Sequence, residues 1–167
     1  VNIVKKVNCK VISIVNSLTS SLARESDIVI GMNCGPEIGV AATKSFTSQM
    51  IVIYKITEEL CNGKFEISYK EISESISKIL ENHAQIRHIA KEIKDISDIY
   101  VLGRGIHYPI AIESALKLKE LTYIHAEGIP GGELKHGPLA LMDSNVFVII
   151  INPNDSTYSD TLTSARE

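Results

Sequence analysis

Long apolar runs are missing from this sequence, and so is an excess of charge of either sign. The longest runs, Met50–Tyr54 and Val146–Ile151, are far shorter than the about 20 residues that a membrane-spanning helix needs. The formal net charge is -3, and the basic residues are scattered among acids, which does not indicate a surface for nucleic acid. No secretion signal is recognisable either. We therefore expect a cytoplasmic protein whose partners are neither nucleic acids nor membranes.

Cysteine is also scarce. Cys9, Cys34 and Cys61 are far apart and odd in number, so they form neither a metal-binding pair nor a disulfide framework. Buried free thiols in a reducing cytosol are the expected state. The turn Gly103–Gly105 lacks the full glycine spacing of a dinucleotide-binding loop, which argues against a nicotinamide site. The sequence predicts neither a metal nor a cofactor.

Short β-branched runs alternate along the chain with longer helical patterns. This alternation is typical of a parallel sheet covered by helices, and so of an α/β fold. Gly63 is the predicted C-terminal cap of the first long helix. Predicted strands lie at 10–16, 27–32, 98–105 (ending in the glycine turn) and 145–152, and predicted helices at 43–60, 108–123 and from 157 onward.

The stretch from about 68 to 95 has isoleucine and leucine at helical spacing and charge on the opposite face. We interpret it as one or two amphipathic helices that link two sheet regions. A coiled coil is the competing interpretation, but the heptads do not persist. His83 and His88 lie among polar neighbours here, so we expect surface histidines rather than metal ligands.

Ligands of open parallel sheets bind beyond the carboxyl ends of the strands, where loops meet helix starts. The segment "CGPEIGVAATK", 34–44, lies between a predicted strand and helix. Its glycines and small residues let backbone N–H groups approach an anion such as a phosphate. An ordinary strand-to-helix turn also uses glycine, and the pattern leaves both interpretations open.

Charged side chains line one face of the helix predicted at 108–123. Glu113, Lys117 and Glu120 have i, i+4 and i+7 spacing and so share a face, which fits a surface ion-pair ladder or a proton-transfer site. The loop predicted from Gly128 onward contains the segment "GELKHGPLAL", 132–141, and supplies His136. We expect that helix face to turn toward the same end of the sheet as this loop.

Three segments also carry a resemblance to a known family: "RESDIVIGMNCGPEIGVAATKSFTSQ", "LGRGIHYPIAIESALKLKELTYIHAEG" and "GELKHGPLAL". They resemble the isomerase part of the glutamine–fructose-6-phosphate aminotransferases, or glucosamine-6-phosphate synthases. That part is built from two SIS (sugar isomerase) domains, so the resemblance implies three-layer αβα, doubly wound parallel sheets. It implies the end of a first SIS domain at 1–63, a helical linker at 64–95, and the start of a second domain at 96–167.

The family makes glucosamine 6-phosphate from fructose 6-phosphate and glutamine-derived ammonia. By resemblance, Glu120 is the base that moves a proton between C1 and C2 of the open-chain sugar, and Lys117 assists it. His136 matches a ring-opening histidine that reaches the site of a neighbouring subunit, which implies a homodimer. Val40 and Ala42 match residues that line the sugar pocket, and Ala42 replaces a serine common in bacterial members.

The family's phosphate loop, its imine-forming lysine and its glutaminase domain do not occur in these 167 residues. We therefore expect a transferase fragment with little or no synthase activity of its own. Three alternatives stay open: a SIS-type sugar-phosphate deaminase or deglycase, a non-catalytic module that binds a sugar phosphate, and a unit that serves only dimerisation or folding.

Overall fold

The computed structural model describes residues 1–167, except for the side chain of Asn2. The chain divides into two compact units, Val1–Lys78 and Ile79–Glu167. The helices are α1 Asn2–Lys5, α2 Ser21–Arg24, α3 Lys44–Leu60, α4 Tyr69–Glu81, α5 His83–Ile93, α6 Tyr108–Thr122 and α7 Tyr158–Ser164. The strands are β1 Ile12–Val15, β2 Ile28–Gly31, β3 Asp98–Gly103, β4 His125–Pro130 and β5 Val146–Ile151.

The first unit contains a parallel pair, β1 and β2, with Ile12 opposite Ile28. Both predicted strands are confirmed, each shorter than expected. The short helix α2 connects them, and the Ser20 hydroxyl caps it by accepting a hydrogen bond from the Ala23 amide at 3.2 Å. The two strands therefore end at the same edge, where the loops that follow them meet.

The long helix α3 follows this edge and matches the predicted helix to within one residue. It is capped by Cys61, and the chain then turns through two left-handed residues, Asn62 at φ 51° and Gly63 at φ 75°. The left-handed turn thus begins one residue before the predicted glycine. The amphipathic stretch after it forms two helices, α4 and α5, which are separated at Asn82.

The second unit is built on a three-stranded parallel sheet in the order β4-β3-β5. Alternate residues of the central strand β3 point to opposite faces. Ile99 and Val101 pack with the alanines of α6, while Tyr100 and Leu102 pack with Leu134 of a later loop. Helices and loops thus cover both faces, which confirms the three-layer α/β arrangement.

One strand, β4, was missed by the sequence analysis, which placed a loop from Gly128 onward. The segment "HAEGIP" pairs with β3 in full register, from Asp98 opposite His125 to Gly103 opposite Pro130. Its glycine and proline are residues typical of turns, so the segment does not look like a strand. Proline is tolerated at this edge position because its missing N–H is not needed there. The loop begins at Gly131 instead, as a 3-10 helix over Gly131–His136.

Candidate active site on helix α6 and the surrounding loops

The charged face of α6 is assembled as the spacing predicted. The Lys117 ammonium lies 2.7 Å from the Glu120 Oε2 and 3.3 Å from the Glu113 Oε1. All three side chains are about three-quarters buried, with exposed fractions of 21%, 27% and 29% for Lys117, Glu120 and Glu113. Helix geometry alone brings them together, because residues three and four apart are neighbours on one face.

This arrangement decides which group carries the proton. The hydrogen bond to Glu120 raises the pKa of Lys117 above its usual 10.5, and the second bond, to Glu113, adds to the effect. Lys117 is therefore an ammonium at neutral pH and has no lone pair to accept a proton. Glu120 is then the acceptor of the pair, and Lys117 can hold its carboxylate in place or stabilise negative charge that develops beside it.

The position of α6 over the sheet depends on one glycine. A Cβ atom at Gly128 of β4 would lie 2.7 Å from the backbone N and Cα of Ile112. Only glycine permits this approach, since real Cβ contacts are essentially never so short. Beneath the helix, Ala111 and Ala115 are buried to 0% and 1% exposure. The close packing of small residues thus fixes where the helix presents Lys117 and Glu120.

The loop that carries His136 is anchored by other residues. Leu134 is buried to 5% exposure, and the Ser164 hydroxyl donates to the Gly131 carbonyl at 2.9 Å. Lys135 forms an ion pair of 2.6 Å with Glu167, and His136 is exposed. Among the described residues, the side chain of His136 makes no hydrogen bond or ion pair with Lys117 or Glu120.

The expectation that the charged face and this loop lie at the same end of the sheet is wrong. A crossover helix between parallel strands must return the chain to the amino ends. Ile112 lies level with Gly128 in the middle of β4, and Glu120 lies eight residues, or about 12 Å, further toward the amino ends. The His136 loop starts only after Pro130, at the carboxyl end.

The two features also lie on different faces of this sheet. Helix α6 covers the face of Ile99 and Val101, whereas Leu134 holds its loop against the face of Tyr100 and Leu102. The sheet itself therefore stands between them. Sequence spacing gives no warning of this, because it does not say on which face a loop folds back.

The two predicted sugar-lining residues belong to the first unit. Val40 and Ala42 are exposed in the loop that joins β2 to α3, on either side of the buried Ala41. The start of the same loop borders an open crevice at the carboxyl edge of the strands, which is lined by Asn16, Ser17, Asn33, Gly35 and Pro36. The Asn16 side-chain amide donates to the Gly35 carbonyl at 2.6 Å and so ties the two loops of this edge together.

The start of α3 was one candidate anion site, and the protein's own carboxylate occupies it. Glu37 Oε1 accepts hydrogen bonds from the Thr43 amide at 2.6 Å and from the Ser45 amide at 3.5 Å. These bonds lower the pKa of Glu37, the one from Thr43 most strongly, and Lys44 lowers it further. Since amides that already donate to Glu37 are not free for a ligand, the structure favours the turn interpretation at this helix start.

Sequence reasoning missed a cluster at the carboxyl edge of the second sheet. His107 Nε2 lies 2.6 Å from Asp155 Oδ2, and the other carboxylate oxygen accepts from the Thr157 hydroxyl at 2.7 Å and the Thr157 amide at 2.8 Å. Together they lower the pKa of Asp155 to about 2, with the Thr157 hydroxyl as the largest cause. The pair joins loops 48 residues apart, which no local pattern reveals.

The remaining expectations concern metals, membranes and thiols. Among the described side chains, no group of three or more His, Cys, Asp or Glu residues is arranged to hold a metal ion. Within the same residues, no helix is both long and apolar enough to cross a bilayer. The cysteines are free, but Cys9 is exposed and the other two are half-buried, so the expectation of buried thiols is wrong. His83 and His88 are exposed, as expected.

Comparisons of the sequence and of the structure with known proteins find relatives of the same kind. A glutamine–fructose-6-phosphate aminotransferase (isomerizing) of Methanothermobacter thermautotrophicus is 44% identical over 158 residues, which is 95% of this chain and 27% of that relative. The solved C-terminal domain of glucosamine-fructose-6-phosphate aminotransferase from Francisella tularensis matches with a TM-score of 0.80 and 41% identity, over 93% of this chain and 46% of that one.

A more distant likeness shows the fold alone. The structure of a glucosamine-6-phosphate deaminase from Thermotoga maritima has a TM-score of 0.75 at 22% identity, over 99% of this chain and 51% of that one. The chain thus spans about a quarter of the curated relative above and about half of the solved structures. The model of the SIS domain matches residues 1–58 and 92–167, well over half of the sequence. The chain belongs to the SIS domain family.

Proposed function

We propose that this chain forms the sugar-isomerising part of a cytosolic enzyme that makes glucosamine 6-phosphate from fructose 6-phosphate and ammonia. The observation that carries the proposal is the Lys117–Glu120 pair on α6, with its ammonium and carboxylate 2.7 Å apart. The 44% identical relative is named for this reaction, which supports the choice of substrate. The free state of all three cysteines fits a reducing compartment.

The proposed reaction requires one base that moves a proton between two neighbouring carbons, C1 and C2 of the sugar. Ammonia replaces the oxygen at C2 of the open-chain ketose and water leaves. Glu120 then takes the proton from C1 and returns it to C2, so that C1 becomes an aldehyde while C2 becomes an amine carbon. No external oxidant or reductant is needed, because one carbon is oxidised as the other is reduced. Lys117, held as an ammonium, orients Glu120 and stabilises the enolate-like charge between the two steps.

The test uses the full-length protein that carries this chain, with fructose 6-phosphate, excess ammonium and a readout of glucosamine 6-phosphate. Glu120→Gln keeps the shape and loses the base, so kcat should fall by about 10²–10⁴-fold. Glu113→Gln is the matched control on the same face, and we expect a much smaller loss. The 167-residue chain alone should show little or no turnover, and turnover near that of the full-length enzyme would contradict the fragment interpretation.

Two other results would redirect the assignment. Release of ammonia from glucosamine 6-phosphate without the forward reaction would favour a deaminase. If Glu120→Gln left activity and ligand response intact, a non-catalytic binding module would be the better description.

We further propose that His136 serves the site of a second copy in a homodimer. Within its own unit, His136 follows Leu134 on the opposite face of the sheet from α6. A histidine that assists ring opening must reach the sugar, and a second copy offers that route. Mixing inactive Glu120→Gln and His136→Asn proteins should restore part of the activity, because one mixed site then has both groups. No recovery after subunit exchange would place His136 in its own chain's site or outside the reaction.

A further inference from the structure

We propose that Glu37 is a positioning residue that holds the sugar-lining loop in shape, an inference that rests on the proposed function. Its carboxylate reaches from the start of that loop to the start of α3. One oxygen, Oε1, accepts from the Thr43 amide at 2.6 Å, the Ser45 amide at 3.5 Å and the Ser45 hydroxyl at 3.3 Å. The loop is thereby closed into a ring from Glu37 to Thr43.

Few other contacts fix this ring. Among the described residues, the backbone of 33–42 makes no hydrogen bond to another backbone group. The Thr43 side chain, which occupies the cap position of α3, makes no capping hydrogen bond either. Ala41 is buried to 5% exposure and anchors the middle of the ring, whereas Val40 is 88% exposed. The direction in which Val40 and Ala42 point therefore depends on Glu37 at one end and Ala41 in the middle.

The charge of Glu37 suits this task. A carboxylate at a helix start is favoured by the helix dipole, and hydrogen bonds to an ionised acceptor are stronger than neutral ones. The same interaction excludes a competing arrangement, in which the sugar phosphate takes these amides and the loop opens. Glu37 thus favours the observed loop shape, in which Val40 and Ala42 are exposed.

The first unit also contains a matched control. Glu58 closes a different loop by the same chemistry, since its Oε1 accepts from the Ile67 amide at 2.8 Å and its Oε2 accepts from the Tyr69 hydroxyl at 2.7 Å. This loop joins the end of α3 to α4, so it lies at the opposite end of α3 from Glu37. A change at Glu58 therefore removes a comparable loop-closing carboxylate without touching the sugar-lining ring.

The experiment measures KM and kcat for fructose 6-phosphate in the full-length protein with excess ammonium. Glu37→Ala should raise KM about tenfold or more and leave kcat within about threefold, because Val40 and Ala42 bind the sugar without taking part in proton transfer. Glu37→Gln keeps an acceptor oxygen for the Thr43 amide, so most of the affinity should return. Glu58→Ala should keep KM within twofold of the unmodified enzyme, even if it unfolds at a lower temperature.

Two outcomes would overturn the inference: an unchanged KM in Glu37→Ala, or an equal rise in KM in Glu58→Ala. A second readout separates this result from the proposed function. In the full-length protein, Glu37→Ala should speed hydrogen exchange of the Thr43 and Ser45 amides, and Glu58→Ala should not. If the unmodified enzyme makes no glucosamine 6-phosphate, the proposed function fails. Unchanged exchange in Glu37→Ala would refute the positioning role whatever the reaction.

Discussion

The close approach of α6 to β4 gives a sharp prediction about Gly128. In Gly128→Ala, the added methyl group would lie 2.7 Å from the N and Cα atoms of Ile112 and 2.9 Å from the carbonyl carbon of Ala111. All three are backbone atoms, so no side chain can rotate out of the way. Either the helix withdraws from the sheet or β4 bends.

The size of the effect follows from the contact distances. Carbon atoms at their best separation are about 3.5–4.0 Å apart, so the helix must withdraw by about 0.8 Å or more. Ala111 and Ala115 then lose contact with Ile99 and Val101, which are fully buried beneath them. Overpacking of this kind costs about 1–3 kcal/mol. For a unit of the size of Ile79–Glu167, each kcal/mol of lost stability lowers the melting temperature by about 4–8 °C.

Chemical unfolding followed by circular dichroism measures this loss, and hydrogen exchange of the α6 amides assigns it to the second unit. Gly132→Ala is the control, because a Cβ there meets only the Arg104 side chain at 3.4 Å or more. We also expect kcat of the full-length enzyme to fall by up to about 100-fold, since a shift of about 1 Å misplaces the Lys117–Glu120 pair. Equal denaturation midpoints for Gly128→Ala and the unmodified protein would refute the packing argument.

Two further predictions concern other positions of the second unit. The pKa of Asp155 is lowered from 3.8 to about 2 in the folded protein, so its stabilising effect is complete above about pH 4 and is lost as the pH falls through 2. Asp155→Asn should therefore flatten the acid limb of a plot of the urea midpoint against pH, and an unchanged slope between pH 4 and 2 would contradict this. Tyr123 caps α6 at φ 61°, a conformation that costs a non-glycine residue about 1 kcal/mol. Tyr123→Gly should raise the melting temperature by a few degrees relative to Tyr123→Ala, which keeps the strain; a lower value for Tyr123→Gly would show that the conformation is not strained.

Most elements were predictable because their residues have strong local preferences. The runs at β1, β2, β3 and β5 are short and rich in β-branched residues, as the strands of a parallel sheet usually are, although only β1 and β3 contain fully buried side chains. The amphipathic stretch was recognisable as helix from its isoleucine spacing. The sequence left open whether this stretch forms one helix or two, and it did not place the break at Asn82, because one residue outside the helical region is enough to separate two helices.

The strand β4 shows the limit of local patterns. "HAEGIP" has one β-branched residue, and its glycine and proline ordinarily indicate a turn. It becomes a strand because α6 returns the chain to the edge of β3, where the backbone N–H and C=O groups of β3 need hydrogen-bond partners. Gly128 is there to let the helix approach and not to make a turn. Tertiary context, rather than propensity, decides this segment.

The candidate site was predictable only where its residues share one element. Lys117 and Glu120 meet because helix geometry requires it, and the resemblance to a family named their roles. Glu37 was not singled out, although it stands six residues before Thr43 in a segment already considered for an anion. Its carboxylate was the anion for that helix start. The signal that the sequence does offer is an acidic residue in the glycine-containing loop shortly before a long helix.

These features together constrain how a sugar phosphate is bound. The amides at the start of α3 donate to Glu37, and the Lys117 ammonium is held by two carboxylates, so neither group is free for a phosphate. In the proposed function, the phosphate is therefore held by donors other than these two groups, separately from sugar binding and proton transfer. This division has a kinetic consequence. Because Glu37→Ala leaves the groups that hold the phosphate unchanged, it should raise KM for fructose 6-phosphate with little change in kcat. The opposite result would be tighter binding of inorganic phosphate by Glu37→Ala, with an unchanged KM for the sugar. It would show that the carboxylate only keeps anions away from the amides at the start of α3 and does not shape the loop.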